Sequence, residues 1–327
     1  MPLAARLDRF GPASESLTVA DLPVPGPGPD EVLLEMLAAP VNPADINVIE
    51  GTYGDLPALP ATIGNEGVGR VAATGSNVRH LQPGQMVLPM AFGTWCARMV
   101  VPASDVVLLP EGLDRFQAAM LTVNPATAWR MMHDFVKLAP GDWIVQNAAN
   151  SGVGRSVIQL AHALGWKTLN TVRRESLVEE LRSSGADVVV TEECDLRKEV
   201  KALCGGARPR LALNAVGGPS ALNIAGALAR GSTMVTYGAM SKQALKIPNG
   251  LLIFQELKFQ GFWLKRWRER AANAVRQETY AALAGHLKAG TLFTPVHAVF
   301  PLARAAEAVL AAAQDQRAGK VLLDPAA

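Results

Sequence analysis

The stretch Gln146-Asn147-Ala148-Ala149-Asn150-Ser151-Gly152-Val153-Gly154 decides how this chain is read. An apolar run at 142–149 leads into it and predicts a strand, and residues 152–164 continue with helical periodicity. At such a strand-to-helix turn, glycines let the backbone approach a pyrophosphate and let the helix pack closely on the strand. The helix N-terminus then offers free N–H groups to the anion. The string is not a full Gly-x-Gly-x-x-Gly, so its strand–turn–helix setting carries the reading against an ordinary tight turn.

Downstream, strands predicted at 167–173, 187–191, 210–216, 232–237 and 258–264 alternate with helices at 176–183, 195–203, 220–229 and 250–256. That alternation predicts parallel βαβ units in a doubly wound sheet, an α/β fold. The second strand ends in Thr171-Val172-Arg173-Arg174-Glu175. NAD enzymes place an acidic residue there for the ribose 2′-hydroxyl, whereas arginine suits a 2′-phosphate, so two adjacent arginines favour NADPH. Glu175 pairs with an arginine or meets a ribose, and a plain surface charge pair is the alternative.

Upstream, the first third is β-rich, with apolar runs at 31–37, 67–73, 85–90 and 98–101 broken by Pro and Gly. Pro-Gly-Pro-Gly-Pro at 25–29 reads as a stiff turn, and 41–59 as an irregular loop. After a helix at 271–289 come a strand at 296–300, a helix at 302–313 and a strand at 320–324, with the closing strands returning to the first domain. The expected division is 1–123 with 292–327 as the β-rich domain and 124–291 as the nucleotide domain.

Composition narrows the function. In 327 residues the hydrophobic share is 49% and the charged share 18%, enough apolar material for two packed domains and unlike a disordered chain. A net charge of +2 without a basic–aromatic surface speaks against nucleic acid. The one basic cluster, Lys265-Arg266-Trp267-Arg268-Glu269-Arg270, is either a solvated helix start or a phosphate-contacting patch. Three scattered cysteines make no disulfide framework. No apolar run reaches membrane length, and the N-terminus carries neither a signal core nor an Arg/Ser-rich leader, so cytoplasm is the expected compartment.

The chain resembles the medium-chain dehydrogenase/reductase superfamily, and within it the 2-enoyl thioester reductases, across nearly its whole length. The resemblance rests on Asn42-Pro-Ala-Asp-Ile-Asn47 with Gly51-Thr-Tyr-Gly54, Gly64-Asn-Glu-Gly67, the stretch at 146–154, and the blocks at 210–218, 231–240 and 261–264. It implies a GroES-like catalytic domain beside a Rossmann domain. It also implies NADPH-dependent reduction of the C2–C3 double bond of a trans-2-enoyl thioester on coenzyme A or an acyl-carrier protein. By resemblance, Tyr53 is the catalytic tyrosine. The implied cofactor contacts are Asn124, Asn150, Ser151, Gly152, Val153, Arg173, Arg174, Glu175, Tyr237, Gly238, Ala239, Met240, Phe262, Trp263, Leu264 and Lys320. Ile46, Asn47 and Trp263 are expected in the substrate pocket. Other members carry Arg-Asp-Arg where this chain has Arg173-Arg174-Glu175, which leaves the division of roles among the three open.

Zinc-dependent members of the superfamily hold the metal with Cys and a His-Glu pair; here the corresponding positions carry Asn42, Asn65 and Glu66. Neutral amides are poor zinc ligands, and none of the five histidines has ligand spacing to a cysteine, so no metal is expected. Without one, the reaction needs a donor for charge building on the thioester oxygen and a proton for C2. A phenol keeps its proton at neutral pH and suits that task. The rivals are an NADPH:quinone oxidoreductase of the same fold and a noncatalytic nucleotide-binding regulator. A homodimer through the sheet edge near 258–264 is implied by the resemblance, and no membrane or nucleic-acid partner is expected.

Overall fold

The computed structural model describes residues 1–314 and 317–327, and its contacts fall into two units. The first comprises Met1–Val123 and Asn273–Ala327, the second Asn124–Ala272.

In the first unit the strand Glu31–Pro40 alternates half-buried and buried residues along most of its length, as an antiparallel strand does when one face is covered. It pairs antiparallel with Val68–Thr74, Arg98–Pro102 and Lys320–Asp324, and so forms the spine of a seven-stranded sheet. Val296–Pro301 lies parallel to Lys320–Asp324, so the last strands of the chain complete a sheet begun by the first third. A smaller sheet in the order Leu17–Asp21, Leu3–Leu7, Ala61–Thr62 shares a core with Ile49, Ile63, Trp95 and Val309. The loop expected at 41–59 contains a helix, Pro43–Ile49. Its start is set by Pro43 at the first turn and by the Asp45 carboxylate, which reaches back to accept the Asn42 N–H at 2.7 Å.

The helix Asn273–Lys288, expected in the nucleotide domain, belongs to the first unit. Packing decides this where periodicity could not. Tyr280 is fully buried and donates to the Thr122 carbonyl at 3.3 Å, and Gln277 donates to the Val106 carbonyl at 3.0 Å.

The second unit is a sheet of six parallel strands in the spatial order Val188–Thr191, Lys167–Val172, Trp143–Gln146, Leu211–Asn214, Thr233–Thr236, Lys258–Gly261. Numbered along the chain this is 3-2-1-4-5-6, the doubly wound order that places a ligand crevice beyond strands 1 and 4. Trp143–Gln146 and Leu211–Asn214 are buried at every position, which is why the sequence there is a continuous apolar run rather than an alternating one. The helix Asn249–Ile253 leads into the edge strand, with Ile253 and Phe254 64% and 76% exposed.

All three cysteines are free. Burial pushes the Cys96 thiol up to about 12 and the Cys204 thiol up to about 11. Cys194 is raised as well, by partial burial and then by Glu199 and Asp195.

Candidate active site

In the second unit the turn after the first strand is built for close approach. Ser151 caps the helix Gly152–Ala163, its hydroxyl accepting the Gly154 N–H at 3.1 Å. A side chain at Gly154 would put its Cβ 2.6 Å from the Ala149 carbonyl oxygen, so only glycine lets this helix sit so near its strand. At Gly152 the nearest neighbour of such a Cβ is the Asn124 side-chain amide at 3.0 Å, which brings Asn124 to the same turn. Among the described residues the N–H groups of Gly152 and Val153 find no acceptor, as the first donors of a helix ordinarily do not. Asn150 is exposed beside them.

Tyr237 follows the strand Thr233–Thr236, and its N–H donates to the Asn214 carbonyl at 3.0 Å. The Tyr237 hydroxyl is buried with no partner in bonding geometry, and burial drives its pKa well above the ordinary phenol range, opposed by the nearby Ser151 hydroxyl. Gly238 lies where a Cβ would come 2.8 Å from the Ala215 carbonyl oxygen, and Met240 donates its N–H to that same carbonyl, leaving its side chain exposed along with Ala239. Phe262 donates its N–H to the Thr236 carbonyl and stands edge-on to Phe135. Trp263 precedes the helix Leu264–Arg270, and Leu264 is buried. Arg266 lies over the Trp263 ring, Arg130 over the Trp267 ring.

Arg173 and Arg174 are exposed at the end of Lys167–Val172, and neither forms an ion pair among the described residues. Glu175, also exposed, opens the short 3-10 turn Glu175–Leu177 and pairs with neither arginine. The surface charge pair weighed above is therefore not formed. Two guanidinium groups stand open at the end of the second strand of the sheet.

Beneath the turn lies a ladder of amides that sequence reasoning missed. The Gln146 side-chain amide donates to the Gly154 carbonyl at 2.9 Å and to Asn170 Oδ1 at 2.7 Å. Asn147 donates to Asn214 Oδ1 and to the Ser220 hydroxyl, and accepts the Ala215 N–H. Asn214 Oδ1 in turn accepts the Gly217 N–H at 3.0 Å. The available signal was an amide within or ending three apolar strands.

In the first unit, Tyr53 sits half-buried in a loop folded back on the helix Pro43–Ile49: the Asn47 carbonyl accepts the N–H groups of Thr52 and Tyr53. Gly51 makes that turn at a positive φ of 74°. Ile46 and Tyr53 pack against one apolar cluster, and Asn47 is exposed. Close by in sequence is a buried charged cluster. The Asn42 amide donates to Glu66 Oε1 at 2.6 Å, and Lys320 Nζ donates to Asn42 Oδ1. Glu66 Oε2 accepts the Thr122 hydroxyl at 3.1 Å and the Val123 N–H at 2.8 Å. Asp45 accepts both the N–H and the side-chain amide of Asn65. Burial, with Glu66 adding, pushes the Asp45 carboxyl up to about 6 against these hydrogen bonds. Burial also lowers Lys320, while the Glu66 and Asp45 charges oppose that shift.

A cavity of about 610 Å³ in the first unit, lined by Asp30, His80 and Gln277 among others, includes none of the candidate residues. Among the described residues no group of three or more His, Cys, Asp or Glu is placed to hold a metal. None of their helices is long and apolar enough to cross a membrane.

Residues 28–111 match the alcohol dehydrogenase GroES-like domain family, and residues 152–279 the zinc-binding dehydrogenase family. Together with the fold this defines the class, a medium-chain dehydrogenase/reductase. The mitochondrial enoyl-[acyl-carrier-protein] reductase of Xenopus tropicalis is 46% identical over 286 residues, covering 84% of this chain and 82% of that protein. The chain belongs to the 2-enoyl thioester reductase family. Among solved structures, the mitochondrial 2-enoyl thioester reductase Etr1p/Etr2p heterodimer from Candida tropicalis superposes with a TM-score of 0.88 at 30% identity over 99% of both chains. Etr1p is also known in complex with NADP and crotonyl-CoA. A putative NADPH:quinone reductase from Bacillus thuringiensis has a TM-score of 0.91 at 29% identity, covering 99% of this chain and 98% of that one. The expectation of a cytoplasmic protein does not stand, because the curated relatives from Xenopus tropicalis, Homo sapiens and Dictyostelium discoideum are mitochondrial enzymes. Composition carries too little information on compartment to outweigh them.

Proposed function

We propose that this chain is an NADPH-dependent reductase of the C2–C3 double bond of trans-2-enoyl thioesters, carried on coenzyme A or an acyl-carrier protein. The observation that carries the reading is 46% identity to an enoyl-[acyl-carrier-protein] reductase across 82% of that protein. The fit of the nucleotide turn supports the cofactor. Gly154 leaves no room for a Cβ, the N–H groups of Gly152 and Val153 stand open, and the Tyr237 hydroxyl is buried and unpartnered.

In this reading Asn124, Asn150, Ser151, Gly152 and Val153 hold the pyrophosphate region. Arg173 and Arg174 meet the 2′-phosphate, with Glu175 at their side. Tyr237 to Met240, Phe262 to Leu264 and Lys320 supply the remaining contacts. When bound, NADPH supplies the hydride that goes to C3. As the carbonyl takes up charge, the Tyr53 phenol donates a hydrogen bond to the thioester oxygen and supplies or relays the proton that ends on C2. Ile46, Asn47 and Trp263 shape the acyl pocket, and the basic helix Leu264–Arg270 faces the phosphates of the carrier. A homodimer forms through the edge strand Lys258–Gly261, with the exposed Ile253 and Phe254 covered by the second copy.

The test is absorbance loss of NADPH with crotonyl-CoA and trans-2-decenoyl-CoA, with NADH and a quinone in parallel. Turnover of both thioesters, at least 100-fold slower in Tyr53→Phe if the donor acts on the transition state, is the expected result. Turnover of the quinone alone would assign the chain to the other reductase class that shares its fold, and binding without turnover would make it a regulator.

A further inference from the structure

The charged cluster of the first unit has one feature that its packing does not account for. Lys320 is only 8% exposed, and its ammonium carries three donors. One goes to Asn42 Oδ1. Among the described residues no acceptor for the other two is found. A buried ammonium with spare N–H groups is costly unless an acceptor arrives.

The residues that hold the ammonium are themselves tightly held. Asn42 is 2% exposed and Glu66 fully buried. Because the Asn42 amide gives its N–H to Glu66 Oε1, its oxygen is forced to face Lys320. Because Thr122 and Val123 occupy Glu66 Oε2, Glu66 cannot turn away. The two Glu66 oxygens thus have separate partners, and reversing Asn42 would set its NH2 against the ammonium.

We propose that Asn42 and Glu66 are positioning residues: together they form a hydrogen-bonded clasp that fixes the Lys320 ammonium so that its free donors meet an acceptor on the bound NADPH. The inference rests on the reading of Lys320 as a cofactor contact, and the experiment separates the two.

NADPH affinity is measured by nicotinamide fluorescence on the full chain, alongside the thermal midpoint of each variant. Lys320→Met is expected to weaken NADPH about tenfold or more, the scale of one hydrogen bond to a charged group. Asn42→Ala is expected to weaken it comparably, and the double variant to be no worse than Lys320→Met alone, since residues of one network are not additive. Asn42→Asp sets two carboxylates in contact and is expected to weaken binding. Adding Glu66→Gln restores a donor facing an acceptor at that contact, leaves an oxygen for Thr122 and Val123, and is expected to recover binding to within about threefold, the residue of a small mismatch in one hydrogen bond. Should Asn42→Ala not fold, the Asn42→Asp/Glu66→Gln pair, which keeps net charge and hydrogen bonds, decides alone. An unchanged affinity in Lys320→Met would overturn the cofactor contact and the clasp together. A Lys320→Met loss that multiplies with Asn42→Ala, or an Asn42→Asp defect that Glu66→Gln leaves uncorrected, would overturn the clasp and leave the contact standing. Lower thermal midpoints with unmoved affinity in the Asn42 variants would mark a purely structural role and also overturn it.

Discussion

Each unit buries a polar network under its candidate site residues, and the two are built from opposite materials. Beneath the nucleotide turn, Gln146, Asn147, Asn170 and Asn214 exchange neutral hydrogen bonds, and the ladder meets a charge only at its margin, where Ser220 donates to Glu192. In the other unit Glu66, Asp45 and Lys320 bring full charges into a core that almost no water reaches. A neutral ladder sets backbone geometry at modest cost. A charged one stores an ammonium at a defined place, and losing any member exposes the rest to the full penalty of burial.

That contrast can be broken experimentally, and the largest effect is expected where charge is orphaned. Glu66→Ala strips acceptors from Asn42, Thr122 and Val123 and leaves Lys320 without its nearest opposing charges save Asp45. It should destabilise the protein by about 3–5 kcal/mol, read from chemical denaturation. Asn147→Ala removes only neutral bonds, to Asn214, Ser220 and the Ala215 N–H, and should cost about 1–3 kcal/mol. Equal losses would erase the distinction between the networks. Arg173→Ala with Arg174→Ala lies outside both, so stability should hold while the KM for NADPH rises about tenfold or more and that for NADH stays put, as expected for loss of phosphate-facing arginines.

The subtlest effect is a pH dependence of Asp45. Its folded pKa of about 6 lies above the ordinary value of 3.8, because burial disfavours the charged form. The folded state therefore holds that proton more tightly, and the associated stability is present below pH 4 and fades as pH rises through 6. The stability of the natural protein relative to Asp45→Asn should decline across that window. A difference that is flat, or rises with pH, would show that the hydrogen bonds from Asn42 and Asn65 outweigh desolvation.

How much of this was legible follows from distance along the chain. The nucleotide half could be read because its buried strands are unbroken apolar runs and its turn residues lie together at 146–154. Its boundaries shifted by a few residues, since the strand ends at Gln146 where the side-chain amide bonds begin. The small strands Leu3–Leu7 and Leu17–Asp21 were missed, being short and lacking sharp turn signals. The helix Pro43–Ile49 was missed for its brevity, although Asn42, Pro43 and Asp45 spell out a helix start. Resemblance supplied Tyr53 and Lys320 one at a time. The clasp could not be seen, because Asn42 meets Glu66 across 24 residues and Lys320 across 278. No local pattern encodes a contact of that span.

The three cysteines have a practical consequence. With every thiol held above its ordinary pKa, the reactive thiolate is scarce at neutral pH, and alkylating reagents and mild oxidants should find little to attack. A single cysteine introduced on an exposed loop of either unit would then be the one fast-labelling position, and a dye could be placed there without first stripping the native sulfurs from the chain.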